Sequence, residues 1–223
     1  MSLLEFQKAE RRARILLEAR GLMARRGWAG VTMRELASAS HVSVPTVYNL
    51  IGGKEALLGA LMEDLFATVS EAGVVSVEDV VSRARALWGA GLVPFLEAPE
   101  YSRELVCLFV SSRATSELRR YHDERYVQLM ATVIADSQRK GELSDLVSAY
   151  SLARTMYSLW IAQTIRWAQG DLDDEELSVA VDRGLSLLLL GVAEGVARTE
   201  LHRLLKGLRQ TSTPEDRHME GVA

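Results

Sequence analysis

Residues 32–58 carry the pattern that constrains the fold most: two short helices joined by a tight turn, followed at once by the start of a third helix. Thr32 and Glu35 have the spacing of a capping box at the start of the first helix. Ser43 is a favourable N-cap for the second helix. Pro45 falls in that helix's first turn, where backbone amides lack intrahelical partners. The sequence therefore predicts a helix-turn-helix.

The second helix of this pair divides into a buried and an exposed face. Val47 and Leu50 are spaced to face inward, whereas Thr46, Tyr48 and Asn49 are expected to point outward near the helix start. A short helix that presents hydroxyl, phenol and amide groups suits entry into a DNA major groove. Two alternatives stay open: Tyr48 can pack in the core with only its hydroxyl exposed, and Asn49 can contact phosphate in place of a base.

Residues 12–58 resemble the DNA-binding module of TetR-type (tetracycline-repressor-like) transcription regulators. The matching residues occur in this order: Ile15, Leu16, Ala19, Leu22, Gly27-Trp28, Val31-Thr32, Arg34-Glu35-Leu36-Ala37, Val42-Ser43, Thr46-Val47-Tyr48 and Lys54-Glu55-Ala56-Leu57-Leu58. Three departures concern the usual turn glycine, a frequent basic residue and an aromatic pair, which are replaced by His41, Val44 and Leu50-Ile51. The resemblance implies an all-α fold, with an N-terminal three-helix helix-turn-helix domain and a larger C-terminal helical domain for ligand binding and dimerisation.

The residues expected to contact DNA come from the helix pair and its flanks. They are Arg12, Thr32, Arg34, Ser43, Val44, Pro45, Thr46, Tyr48, Asn49 and Lys54. Asparagine can bind adenine through two hydrogen bonds, hydroxyl groups usually contact phosphate, and the amides at a helix start attract anions. Lys54 is expected to bind a second phosphate. Arg12 and Arg34 are either further phosphate contacts or ordinary surface charges.

The charge of the chain is divided between its two parts. Residues 1–55 carry nine basic and five acidic side chains, a net charge of +4, whereas residues 56–223 carry −8. This asymmetry indicates an anionic partner at the N-terminal end only. A basic helix face that is merely solvated is the alternative, and the helix-turn-helix pattern favours the anionic partner.

Composition and motifs exclude several classes of function. With 223 residues, 48% of them hydrophobic, the chain can bury a full core. Its single cysteine, Cys107, is expected to be a buried small hydrophobe and fits a reducing cytoplasm. No signal-peptide pattern is present, and the apolar stretch at 185–196 is too interrupted for a membrane span.

No catalytic chemistry is predicted. The four histidines lack metal-ligand spacing, and His122-Asp123-Glu124 is interpreted as a solvated helix face. No nucleophile elbow, phosphate-binding glycine loop or zinc-protease motif occurs. We therefore expect no metal, no cofactor and no enzymatic activity.

Helices are predicted along the whole chain. The segments are 3–26, 54–72, 76–92, 100–112, 115–140, 144–169 and 173–208, separated in the second half by Pro94, Pro99, Gly141 and Gly170, with Ser144 and Asp173 as N-caps. Trp28 is expected to fill the three-helix core, and stacking on DNA is the alternative. The predicted domains are residues 1–53 for DNA binding, 54–210 for ligand binding and dimerisation, and 211–223 as a frayed tail.

The predicted last helix bears on assembly. Within a continuous helix, Gly184, Gly191 and Gly195 fall in an arc of about 40°, with Leu188 beside them. Each glycine costs about 1 kcal/mol relative to alanine, so a closely approaching neighbour is expected. The core of a monomer or a second subunit can supply that neighbour. The resemblance favours a dimer, because it implies a four-helix bundle of the last two long helices.

A ligand pocket is implied by the resemblance, and large apolar side chains of the second domain are its candidates. They are Trp88, Phe109, Tyr126, Met130, Met156, Tyr157 and Trp160, with Gln163 as a polar partner. A plain hydrophobic core is the alternative for each of them.

The combined expectation is a homodimeric DNA-binding repressor that binds a palindromic operator and is released by a small apolar ligand, with the fourth helix as the mechanical link. An activator or a ligand-independent repressor shares the same sequence features. A helical ligand-binding or enzymatic protein, whose N-terminal bundle is only structural, is the alternative class.

Overall fold

The computed structural model describes residues 2–72, 79–112 and 115–208, which fold into α-helices without a strand. The helices are α1 (Leu3–Arg26), α2 (Met33–Ala39), α3 (Val44–Leu50), α4 (Lys54–Ala72), α5 (Val80–Glu97), α6 (Pro99–Ser111), α7 (Ser116–Arg139), α8 (Ala149–Gln169), α9 (Asp174–Leu190) and α10 (Gly195–Leu208). A 3-10 turn, Trp28–Gly30, follows α1. None of the helices in the described ranges is long and apolar enough to cross a membrane. The all-α prediction is confirmed.

The N-terminal bundle is built by α1, α2 and α3 against the start of α4. A capping box between Ser2 and Glu5 begins α1, and Gly27, with φ of 66°, ends it at the predicted residue. Helix α1 buries Ile15, Leu16, Ala19, Leu22 and Met23 together with Leu36, Val47 and Leu57 from the other three helices. These helices therefore share one small core. Helix α3 faces this core with Val47 and turns its other side outward.

The C-terminal body packs around α8, which contacts α6, α7 and α9. Trp160 is stacked on Tyr126 and Tyr157, at centroid distances of 5.7 and 6.3 Å, and Phe95 meets it edge-on. Ion pairs connect the surrounding helices; Arg83 of α5, for example, pairs with Asp136 of α7 at 2.7 Å. The stacked aromatic side chains and the surrounding ion pairs therefore stabilise the body.

Two helix boundaries differ from the prediction for local reasons. Pro94 was expected to separate two helices, but it lies buried inside α5, which continues to Glu97. Helix α8 begins after Ser148, whose hydroxyl accepts from the amide of Ser151, and not after Ser144. The amide of Ser144 instead donates to the carbonyl of Val192 at 2.7 Å, which draws this loop away from a helical path.

The predicted single helix over 173–208 is wrong. Asp173 caps α9 as expected, but α9 ends at Leu190, and α10 begins at Gly195 with φ of 48°. The interruption pairs with the loop before α8, because the amide of Glu194 donates to the carbonyl of Glu142 at 2.9 Å. Gly191 and Gly195 therefore lie outside α9, and the argument that placed them on one helical arc with Gly184 does not hold.

Two single-residue expectations in the body are also corrected. Cys107 is exposed on α6, although a buried thiol was expected. His122-Asp123-Glu124 is not simply a solvated face, because the Asp123 carboxylate accepts a hydrogen bond from the hydroxyl of Tyr157. The predicted tail at 211–223 lies outside the described residues.

Candidate nucleic-acid interface and ligand pocket

The first helix of the predicted pair is capped by Thr32, with one change from the expected pattern. The Thr32 hydroxyl accepts from the amide of Glu35 at 3.1 Å. The Glu35 carboxylate does not return to the Thr32 amide; it accepts from the Thr32 hydroxyl at 3.0 Å and from Arg26 at 2.6 Å. The Glu35 side chain therefore connects the start of α2 to the end of α1.

The turn between α2 and α3 places a non-glycine residue in the left-handed region. His41 has φ of 53° and is exposed. The amide of Val42 donates to the carbonyl of Ala37 at 3.0 Å, and the His41 amide donates to Ser38 at 3.2 Å, which is the hydrogen-bond pattern of a Schellman motif. The turn thus forms without the glycine that usually favours it.

Helix α3 presents its polar side chains to solvent and buries the opposite face. Val47 has no exposed surface, whereas Tyr48 is 52% exposed and Asn49 and Pro45 are also exposed. Positions 45, 48 and 49 fall within an arc of about 100° on a helix, away from Val47. Tyr48 therefore does not belong to the core.

The start of α3 is a capped N-terminus. The Ser43 hydroxyl accepts from the amide of Thr46 at 3.3 Å and lies 2.8 Å from the Thr46 hydroxyl. Thr46 and Val44 are half-buried, so the exposed polar surface of α3 is dominated by Tyr48 and Asn49.

The flanking cations have different surroundings. Arg34 and Thr32 are exposed on or beside α2. The ammonium of Lys54 lies 4.9 Å from the centre of the half-buried Trp28 ring, and Arg12 lies 3.6 Å from the carboxylate of Glu63 on α4. Lys54 and Arg12 thus help to join α4 to the bundle, besides being candidates for phosphate contact.

Two contacts connect the bundle to α6. The backbone amide of Trp28 donates to the carboxylate of Glu104, and the guanidinium of Arg20 lies over the ring of Tyr101 at 5.9 Å. Burial of Tyr101 raises its pKa to about 12. Arg20 also pairs with Asp64 of α4. The N-terminal bundle is therefore connected to the body through both α4 and α6.

The body contains a pocket of about 370 Å³ between α4, α5, α6, α7 and α8, near the lower end of the range usual for small-molecule sites. Its lining consists of Met62, Phe95, Val106, Phe109, Val110, Arg119, Asp123, Arg154, Tyr157, Ser158, Trp160, Ile161, Thr164 and Ile165. Most of these side chains are apolar, and the charged ones come from α7 and α8.

Three polar side chains of the lining form contacts within the chain. The hydroxyl of Tyr157 donates to Asp123, and burial together with this bond raises the pKa of Tyr157. Arg119 donates through Nη1 to the carbonyls of Phe109 and Val110, at 3.0 and 2.8 Å. Arg154 pairs with Glu124 at 2.9 Å.

Three of the eight predicted pocket residues line the cavity: Phe109, Tyr157 and Trp160. The other five lie elsewhere; Trp88, Met130 and Met156 are core residues, Tyr126 is stacked on Trp160, and Gln163 accepts from Arg166. The prediction missed the charged residues. A spacing of four residues separates Arg119 from Asp123 on α7 and Arg154 from Ser158 on α8. Residues four apart lie on one face of a helix, so this spacing is the sequence signal for a polar wall.

A capped helix-turn-helix with an exposed polar recognition helix, joined to a larger helical body with a pocket, defines the class of helix-turn-helix regulators. Residues 15–61 match the family model of bacterial regulatory proteins, tetR family. This match covers the N-terminal module, which is therefore similar to that of the tetR family. No curated relative matches its sequence.

Solved structures share the fold over most of the chain. A TetR transcription regulator from Haloarcula marismortui is 23% identical, with a TM-score of 0.72, over 83% of this chain and 100% of that one. A TetR-family regulator from Syntrophomonas wolfei is 20% identical, with a TM-score of 0.67, over 82% and 96%. A gamma-butyrolactone receptor is 17% identical, with a TM-score of 0.59, over 92% and 100%. At these identities the likeness shows the fold.

Proposed function

We propose that the protein is a cytoplasmic homodimeric repressor that binds a palindromic operator through α3 and is released by a small apolar ligand. The observation that carries this proposal is the pair Tyr48 and Asn49, exposed on a capped helix whose other side, at Val47, is buried. A core role would bury these side chains. Their exposure supports contact with a partner, and the +4 charge of residues 1–55 supports a nucleic acid.

The proposed DNA contacts are divided between base and phosphate. Asn49 has the donor and acceptor needed to bind adenine through two hydrogen bonds, and Tyr48 has a hydroxyl suited to phosphate. Ser43 and the first amides of α3, with Val44 and Pro45 beside them, form a site for one phosphate. Thr46 supports that site through its bond to Ser43. Thr32, Arg34, Lys54 and Arg12 flank it and add further phosphate contacts.

The proposed dimer places two copies of α3 about 34–36 Å apart, one turn of DNA, so that both enter major grooves on one side of the duplex. Helices α8 and α9 are the proposed interface, with Leu188 on α9 and Gly191 and Gly195 just beyond it; Gly184, also expected there, packs against Leu159 of the same chain. Leu187 supports this location, because it is 54% exposed on α9. The proposed domains are residues 1–53 and 54–210.

The proposed release follows the contacts between pocket and bundle. Met62 of α4 and Val106 and Phe109 of α6 line the pocket, and the same two helices contact Arg20 and Trp28. A ligand that favours one arrangement of α4 and α6 would change the distance between the two α3 helices of the proposed dimer. It can shift that equilibrium only by its difference in affinity for the two arrangements. The gamma-butyrolactone receptor that shares the fold supports a small-molecule effector.

The test begins with an operator selected from random duplexes by the purified full chain. Its affinity is then measured from 50 to 200 mM salt. We expect a steep fall with salt, and we expect Tyr48→Ala with Asn49→Ala to lose at least tenfold in affinity while the unfolding midpoint stays unchanged. Tyr121→Ala is the matched control, because Tyr121 is 59% exposed on α7 of the body.

Three outcomes of this test contradict the proposal. One is failure to enrich any duplex, another is an affinity that does not depend on salt, and the third is equal binding by the double variant. Sedimentation of the complex gives the stoichiometry. A single chain bound to each operator would contradict the homodimer.

A further inference from the structure

We propose that the pocket of the body selects apolar molecules that carry a carboxylate group. This inference rests on the proposed function for the presence of an effector, and it goes further by naming the chemistry that the pocket recognises. Three observations support it: the change from charged to apolar side chains along the lining, unmet hydrogen-bond donors in it, and a guanidinium, Arg119, that forms no ion pair among the described residues.

The wall formed by α8 changes character along its length. Arg154 and Ser158 lie at one end, and Ile161 and Ile165 lie at the other. At about 1.5 Å per residue, the distance from position 154 to position 165 is about 16 Å. The first turns of α7 add Arg119 and Asp123, and Asp123 accepts a hydrogen bond from Tyr157, which lies between Arg154 and Ser158 in α8. The pocket therefore suits an amphiphile, with its polar group toward α7 and its apolar part toward the second half of α8.

The lining contains hydrogen-bond donors without sufficient acceptors. Arg119 uses Nη1 for two backbone carbonyls, and it forms no ion pair within the described part of the chain. Trp160 is 3% exposed, and its indole Nε1 has no hydrogen-bond partner among the described residues. An unmet buried donor is costly, so a ligand that brings acceptor oxygens gains from both groups.

Among the residues that the structure describes, the charges of the lining leave one cation without an ion pair. Arg154 is paired with Glu124 at 2.9 Å, and the Asp123 carboxylate accepts from Tyr157. Asp123 is the one acidic side chain in the lining as described, against Arg119 and Arg154. Arg119 therefore favours an anionic head beside it and disfavours an ammonium. A carboxylate has the planar pair of oxygens that matches a guanidinium.

Three compounds with the same alkyl chain test this inference by isothermal titration of the full chain at pH 7.5: octanoate, 1-octanol and octylammonium. We expect octanoate to bind about tenfold more tightly than octanol, because a hydrogen bond to a charged group contributes about 1.5 kcal/mol or more. Octylammonium is expected to bind most weakly. Equal affinities for octanoate and octanol, or no binding by any of the three, would overturn the proposal.

Variants locate the recognition. Arg119→Met is expected to lose the preference for octanoate and to keep its affinity for octanol, whereas Arg119→Lys keeps part of the preference. Trp160→Phe removes only the indole donor and is expected to weaken octanoate several-fold. Arg120→Met is the matched control, since the Arg120 side chain is 76% exposed on the next position of α7. Equal loss of octanoate and octanol in Arg119→Met, which leaves the preference for octanoate unchanged, would contradict a role for this guanidinium.

Operator binding is measured on the same preparations and separates this inference from the proposed function. A protein that binds operator DNA but does not prefer octanoate contradicts the ligand chemistry alone. A protein that prefers octanoate but binds no DNA contradicts the regulatory proposal alone.

Discussion

The backbone amide of Trp28 donates a hydrogen bond of 2.7 Å to Oε1 of Glu104, 76 positions further along the chain. This bond ties the turn after α1 to the first half of α6. Gly27 permits it, because a Cβ at that position would lie 3.2 Å from the same oxygen. Two positions after Glu104, Val106 lines the pocket. One helix, α6, thus contacts both the bundle and the cavity.

Replacing Glu104 tests this connection. Glu104→Ala leaves the part-buried amide of Trp28 without an acceptor and is expected to lower the free energy of unfolding by about 1–2 kcal/mol. Glu104→Gln keeps an acceptor oxygen and is expected to lose less than half of that. Urea unfolding measures both variants, with Glu97→Ala, an exposed glutamate at the end of α5, as the control. An alanine variant as stable as wild type would contradict the connection.

Local signals predicted the N-terminal module well because caps and turns act within a few residues. Thr32, Ser43 and Gly27 each cap or end a helix at the predicted position. The fold class and the module followed from these signals and the resemblance. The other half of the predicted capping box, a bond from the Thr32 amide to the Glu35 carboxylate, is wrong, because this carboxylate accepts from Arg26, nine positions away.

The boundaries and pocket of the body were predicted less well because they depend on contacts between distant segments. The break after Leu190 is stabilised by pairing with residues 142–144, which no helical periodicity reveals. Likewise, the choice of large apolar side chains predicted Tyr157 and Trp160 in the pocket but not Arg119, which is a charged residue of α7. Which face of a buried stripe borders a cavity is decided by packing, so the sequence alone could not assign it.

His41→Gly is expected to stabilise the protein. The left-handed φ of 53° costs an L-residue about 1 kcal/mol, of which glycine recovers about 0.5–1 kcal/mol after its greater loss of backbone entropy. Denaturant titration measures the gain. His202→Gly is the control with the opposite sign, because the exposed His202 lies inside α10, where glycine is expected to cost about 1 kcal/mol. Destabilisation by His41→Gly would contradict this account of the turn.

The lowered pKa of Asp136 predicts that the folded protein loses stability in acid. Hydrogen bonds from Lys140 and Arg83 lower the pKa of Asp136 from 3.8 to about 2 in the folded protein. Because the folded pKa is depressed, the stabilisation is present above about pH 4 and is lost as the pH falls toward 2. The stability difference between wild type and Asp136→Asn should therefore shrink across this interval in denaturant titrations. Asp145→Asn, at an exposed loop position, should show no such change; a constant difference for Asp136→Asn would refute the assignment.

Gly184 is explained by a close neighbour within the same chain, and a double-mutant cycle tests this explanation. A Cβ at Gly184 would lie 2.5 Å from Cδ2 of Leu159, whereas a Cβ at Gly89 would meet nothing within 4 Å. Gly89→Ala is therefore expected to stabilise the protein by about 1 kcal/mol. Gly184→Ala should be less favourable by about 1–2 kcal/mol, because Leu159 must shift, and it should recover most of this difference in a Leu159→Ala background. Unfolding free energies of the four proteins give the coupling; if it is zero, the packing of α8 on α9 does not account for this glycine.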